Sequence, residues 1–166
     1  VTLGVTPAQM TWQAGIDVLS FGGTKNGCLT AEAVVFFKPE LVGDFPFLQK
    51  RAGQLLSKSR FISSQFMGYL ADDVWMRNAR QANAMAQRLS KGLADLPGLE
   101  LAYPTQSNEV FVVMPAALID RLSAKGLAIN DEELDGKAVR FVAAWNTTES
   151  EVDALLAVLS EHCASV

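Results

Sequence analysis

Asp17-Val-Leu-Ser-Phe-Gly-Gly-Thr-Lys-Asn-Gly-Cys-Leu-Thr-Ala-Glu-Ala-Val-Val-Phe-Phe37 decides the fold. Its ends, Asp17-Val-Leu-Ser-Phe21 and Ala33-Val-Val-Phe-Phe37, are short β-branched and aromatic runs bounded by chain breakers, and they read as strands. Neither run alternates polar with apolar, which predicts buried strands covered on both faces, as in the middle of an α/β sheet. Between them, Gly22-Gly-Thr-Lys-Asn-Gly27 carries three glycines in six residues, so backbone there can approach a bulky group closely. Lys25 sits in that loop. A lysine that attacks a carbonyl must be neutral when it does so, which requires a partly desolvated or electropositive place. By spacing alone, the commoner reading of Lys25 is a solvated side chain in a glycine-rich turn. The loop lacks the Gly-Lys-Ser/Thr ending of a phosphate-cradling P-loop, and no dinucleotide fingerprint is present.

Three blocks surround this stretch. In the first, Val1 to about Pro39, Thr6-Pro7 predicts a capped helix start and Gly15 its stop. Two strands alone make a marginal sheet, so either the long helices cover it in some irregular way or the chain is part of something larger. The second block, to Leu96, reads as helical throughout, with a break near Ser57 to Ser64. Ala82, Met85, Ala86, Leu89, Leu93 and Leu96 form one apolar stripe along a long helix that Pro97-Gly98 ends. The third block reads as a small α/β unit. Its strands are expected at Leu99–Tyr103, Val110–Met114, Leu127–Asn130 and Ala138–Ala144. One helix opens at Pro115 and stops at Gly126, and a second starts at the capping box Thr148-Glu-Ser-Glu151. The expected division is residues 1–96 and 97–166.

Composition narrows the function. The 166 residues are 49% apolar and 19% charged, which is globular, and a chain of this size can hide roughly 68–70% of its unfolded surface without staples. A net charge of −4 argues against a general nucleic-acid binder. The longest apolar run, Phe111 to Ile119, is cut by Pro115 and falls short of the roughly 18–20 residues of a membrane span. Two cysteines, Cys28 and Cys163, make no disulfide scaffold and point to a reducing, cytoplasmic setting. With one histidine, His162, in the last turn of the final helix, there is no zinc-ligand set and no Cys–His nucleophile pair. Asp131, Glu132, Glu133 and Asp135 read as a solvated acidic loop. Arg140 lies inside an apolar strand, where a guanidinium needs a carboxylate partner, either a substrate or a structural ion pair. Arg60, beside Lys58 and Ser57, Ser59 and Ser63, either holds a phosphate or lies on a solvated helix face.

The segment Ser20-Phe-Gly-Gly-Thr-Lys-Asn-Gly27 with Ala31-Glu-Ala-Val-Val-Phe-Phe37 resembles the cofactor-lysine region of low-specificity L-threonine aldolases. These belong to the aromatic amino acid β-eliminating lyase and threonine aldolase family. The likeness continues through Lys50-Arg-Ala-Gly-Gln-Leu-Leu-Ser-Lys-Ser-Arg60, Leu93-Ala-Asp-Leu-Pro-Gly-Leu-Glu-Leu101 and Val139-Arg-Phe-Val-Ala-Ala-Trp-Asn-Thr-Thr148. It implies an α/β enzyme of PLP fold type I that uses pyridoxal 5′-phosphate (PLP). The chain would comprise a remnant of the large domain, long linking helices and a small C-terminal α/β domain. The resemblance makes Lys25 the lysine that carries the cofactor. It places Thr24 and Arg60 at the cofactor phosphate, the arginine in its own subunit or across an interface, with Lys58 a weaker transfer. Arg140 matches the arginine that grips the substrate carboxylate. The implied reaction is retro-aldol cleavage of β-hydroxy-α-amino acids to glycine and an aldehyde, in a homodimer or homotetramer that binds neither nucleic acid nor membrane and has no metal. Another PLP-dependent β-eliminating lyase and a non-catalytic α/β binding domain are the alternatives. In the family a ring-stacking histidine, the aspartate that pairs with the pyridine nitrogen and a phosphate-binding glycine loop all precede the lysine. Their absence, with Val1 in place of Met, leads to the expectation of a C-terminal half with weak or absent activity alone.

Overall fold

A computed structural model describes residues 1–127, 129 and 138–163. The chain divides into two compact units, Val1–Asn78 and Ala79–Val166.

In the first unit, Thr6 caps helix α1 (Pro7–Met10) through a reciprocal box: Gln9 N–H donates to Thr6 Oγ1 at 3.2 Å and Thr6 N–H to Gln9 Oε1 at 2.8 Å. The helix expected to reach Gly15 stops at Met10. A 3-10 turn, Trp12–Ala14, follows and ends on Gly15 at φ 92°, a conformation that glycine adopts without strain. Strands β1 (Val18–Gly22) and β2 (Glu32–Phe36) pair antiparallel, from Val18 opposite Phe36 to Gly22 opposite Glu32. An ion pair between Lys38 and Asp17 at 2.7 Å clasps the open end. The prediction of strands buried on both faces is corrected here. Leu19, Phe21, Ala33 and Val35 are half-buried, but Val18 and Val34 on the opposite face are exposed. An unbroken apolar run reports the character of both faces, not what covers them in this chain.

Helix α2 (Phe45–Arg51) packs Phe45 edge-on against Phe36, with ring centres 5.1 Å apart. Helix α3 (Arg60–Leu70) begins at the expected break. Phe21 meets Phe66 of α3 stacked at 5.7 Å and Trp75 edge-on at 6.2 Å, which ties the hairpin to the helices. Between α3 and helix α4 (Val74–Ala94) the chain turns through Asp72 and Asp73, both left-handed at φ 49° and 61°.

In the second unit, α4 buries Ala82, Met85, Ala86, Leu89 and Leu93 of the predicted stripe, and Leu96, beyond the helix end at Ala94, packs partly buried against the core. Strands β3 (Glu100–Leu101), β4 (Glu109–Val113) and β5 (Val139–Val142) form an antiparallel sheet in the order β3-β4-β5. Val110 and Val112 point to the core along β4, giving the two-residue period of a half-buried strand. Helices α5 (Ala116–Ala124) and α6 (Glu149–Cys163) close the core with Leu118, Leu122, Val152 and Leu159. Thr148 and Glu151 make the predicted capping box at α6. Arg88 of α4 clamps Asp153 of α6 bidentately at 2.7 and 2.8 Å. Of the strand expected at Leu127–Asn130, Leu127 and Ile129 pack on this core outside any strand, and Ala128 and Asn130 lie outside the described residues. The acidic run from Asp131 to Asp135 also lies outside them. Among the described residues no helix is long and apolar enough to cross a membrane.

Candidate functional site

Lys25 occupies the middle of a 3-10 turn, Thr24–Asn26, at the tip of the β1–β2 hairpin. The glycines explain the turn. A Cβ at Gly23 would lie 2.8 Å from Cys28 Sγ, and Gly27 closes the turn at φ 112°, where a side chain would be strained. Gly23 N–H donates to the Ala31 carbonyl at 2.7 Å, and its own carbonyl accepts from Asn26 and Cys28 N–H. Thr24 Oγ1 accepts from Ala31 N–H at 3.1 Å, which leaves the hydroxyl proton for another partner. The lysine itself is exposed, as the reading from spacing alone has it.

Both limbs of the loop are held by the helices. Asn26 Nδ2 donates to Tyr69 Oη at 2.7 Å and to the Trp75 carbonyl at 2.9 Å, and Asn78 Nδ2 donates to the Asn26 carbonyl at 2.8 Å. On the other limb Gln65 acts like a strand edge. Its Oε1 accepts from Leu29 and Thr30 N–H, and its Nε2 donates to the Thr30 carbonyl at 2.9 Å. Behind the loop is a largely apolar cavity of about 280 Å³ whose walls include Cys28, Leu29, Gln65, Tyr69, Val74 and Asn78, but not Lys25. Burial pushes the Tyr69 hydroxyl up from its ordinary value, partly offset by the Asn26 hydrogen bond, so it is protonated at neutral pH. Burial, and then the charge of Glu32, push the Cys28 thiol up as well.

Arg60 is exposed at the first residue of α3, its guanidinium 4.7 Å above the Phe61 ring. Nine residues of helix separate it from Tyr69, the anchor of the Lys25 turn, which is roughly 14 Å at 1.5 Å per residue. The structure places Lys25 and Thr24 together in one turn and Arg60 at the opposite end of α3 from Tyr69. Lys58 is exposed just before α3.

Arg140 belongs to the second unit. It lies in β5 with its guanidinium 3.3 Å from Glu109 Oε1 of β4, across a register in which Glu109 faces Val142, so the pair is diagonal on one face of the sheet. The carboxylate partner that its strand position called for is in place. His162 Nδ1 lies 2.7 Å from the Val158 carbonyl, one helical turn back, beside the buried Cys163. Among the described residues no group of His, Cys, Asp and Glu could hold a metal ion. Sequence reasoning missed Asn26, Gln65, Tyr69 and Asn78. Asn26 adjoins the lysine inside the glycine loop and could have been singled out, but its partners could not.

Residues 1–117, which include the lysine turn and its anchors, match the Beta-eliminating lyase family. The chain is 47% identical over 155 residues to the low specificity L-threonine aldolase of Pseudomonas sp. (strain NCIMB 10558), covering 93% of this chain and 44% of that protein. It is 43% identical over 145 residues to the low specificity L-threonine aldolase of Pseudomonas aeruginosa, covering 87% of this chain and 42% of that protein. It thus spans less than half the length of these curated relatives. Leishmania major threonine aldolase superposes with a TM-score of 0.79 at 26% identity, over 89% of this chain and 44% of that one. A mixed α/β fold shared with that structure, a lysine turn inside the matched span, and this level of identity lead to one conclusion: the chain belongs to the Beta-eliminating lyase family.

Proposed function

We propose that this chain is the C-terminal half of a PLP-dependent carbon–carbon lyase that cleaves β-hydroxy-α-amino acids of the threonine and allo-threonine type to glycine and an aldehyde. The observation that carries the reading is the doubly anchored turn that presents Lys25, in a chain 47% identical to a low specificity L-threonine aldolase. The residues present fit PLP in kind. Lys25 offers an exposed primary amine for its aldehyde, Thr24 a hydroxyl with a proton to donate to its phosphate, and Arg60 a guanidinium for the same group. When bound, PLP supplies an electron sink for the breaking Cα–Cβ bond. Arg140 binds the substrate carboxylate and so orients that bond, with Glu109 holding the guanidinium from the side. Arg60 serves the cofactor phosphate in its own subunit or across a subunit interface. Residues 1–96 are then the C-terminal part of the cofactor-binding domain with its linking helices, and 97–166 the small domain. The assembly is a cytoplasmic homodimer or homotetramer.

Treatment of the chain with PLP and then borohydride is expected to fix a pyridoxyl group on Lys25, read by peptide mapping, and its absence there sinks the lysine's role. In a polypeptide of the relatives' full length, Lys25→Ala is expected to abolish turnover of threonine. Arg140→Ala is expected to raise KM with a smaller effect on kcat, and an unchanged KM counts against the carboxylate role.

A further inference from the structure

Lys25 is exposed, and the hydrogen bonds from Gly23 and Thr24 tie its turn only to the hairpin it caps. The connection to the helices on this limb passes through the next residue. The Asn26 carboxamide has one orientation available, because the Trp75 carbonyl can only accept and so must face Nδ2. That nitrogen also reaches the hydroxyl of Tyr69, a residue 6% exposed in the last turn of α3. Trp75 stands in the first turn of α4, so a single amide bridges the end of one helix and the start of the next across the left-handed Asp72–Asp73 turn. Asn78, one turn further along α4, completes the arrangement by donating to the Asn26 main-chain carbonyl. Aspartate in this place has no N–H for the Trp75 carbonyl, and alanine has no polar group at all.

We propose that Asn26 is the positioning residue of Lys25, its carboxamide locking the lysine turn to the α3–α4 junction so that the amine is held ready for an aldehyde. This rests on the reading of Lys25 as the cofactor lysine, and the test separates the two. The full chain is treated with PLP and borohydride at limiting time, and the labelling of Lys25 is divided by that of Lys91, an exposed lysine of α4 in the same molecule. Helix content is followed by circular dichroism in the same samples. In the wild type the ratio is expected to lie well above that of the urea-unfolded chain; equality overturns the cofactor-lysine reading itself. Each lost hydrogen bond is worth roughly a factor of five, so Asn26→Ala and the isosteric Asn26→Asp are each expected to lower the ratio about tenfold or more. Tyr69→Phe, which leaves the bond to the Trp75 carbonyl, is expected to lower it about fivefold. A wild-type ratio in folded Asn26→Ala and Asn26→Asp, with Lys25 still selectively labelled, overturns the positioning role and leaves the lysine reading standing. If both Asn26 variants lose their helix signal, Tyr69→Phe decides, and an unchanged ratio there overturns the proposal.

Discussion

The unit that ends at Asn78 carries the lysine and has little core, whereas the unit that follows has a core and holds only Arg140 of the candidate site. Every residue of the buried apolar cluster, from Met85 to Cys163, lies in the second unit. In the first, Ala31 and Tyr69 are the fully buried apolar residues among those described. The exposed large hydrophobics reverse that distribution, with Leu3, Met10, Trp12, Leu29, Phe47, Phe61 and Met67 all in the first unit. Burial of apolar area is the main favourable term in folding, so the two halves cannot contribute equally to stability. The first unit relies on directed contacts instead: the Asn26 and Gln65 hydrogen bonds, the Phe21 aromatic cluster and the Lys38–Asp17 clasp.

Matched truncations give the sharpest contrast. Leu93 is completely buried in the second unit, and Leu93→Ala is expected to cost about 3 kcal/mol in urea denaturation. Leu48 on α2 is 45% exposed, and Leu48→Ala is expected to stay within about 0.5 kcal/mol. Equal costs would break the comparison, since they would mean that the first unit has a core of its own. Next in size, amide hydrogen exchange should be slowest in β4 and in α4 from Ala82 onward, and faster throughout β1 and β2. Protection of the hairpin equal to that of β4 would show that its hydrogen bonds and aromatic contacts suffice without a buried face.

How legible each unit was in the sequence follows the same division. The α4 stripe, the Pro115 helix start and the Thr148 box were readable because each is a local pattern whose consequence lies within a few residues. The lysine loop was readable for its glycines, and the resemblance picked out Lys25. The anchors of that loop were not, because Asn26 meets Tyr69 and Asn78 across 43 and 52 residues, and no local spacing encodes such a contact. Glu109 was missed as the partner of Arg140 for a related reason: the diagonal pairing depends on a strand register that begins 31 residues away. The exposed face of the hairpin failed differently. Val18 and Val34 have the residue type of a buried strand, and composition cannot tell whether the surface that would bury it is present.

Each unit also has one capping box, and the smallest expected effects come from that pair. Thr6 and Gln9 cap a four-residue helix with no buried residue, whereas Thr148 and Glu151 cap α6, which buries Val152, Leu159 and Cys163. Thr148→Ala is therefore expected to cost about 1 kcal/mol, and Thr6→Ala a few tenths, because a cap matters to global stability only as far as its helix packs. The two boxes differ in chemistry as well. Donation from the Thr148 backbone, and then from its hydroxyl, holds the Glu151 carboxyl below its ordinary value. The Arg88 guanidinium does the same for Asp153. A carboxyl whose folded pKa is lowered contributes stability that is complete above the unfolded value and is lost as the pH falls through the folded one. The stability difference between wild type and Thr148→Ala should then be constant from neutral pH down to the ordinary glutamate range, and shrink below it. The Thr6 box closes on an uncharged amide, so its small effect should not change with pH. If the Thr148 difference persists undiminished in acid, Glu151 closes that box equally well when protonated, and the cap owes its strength to the threonine alone.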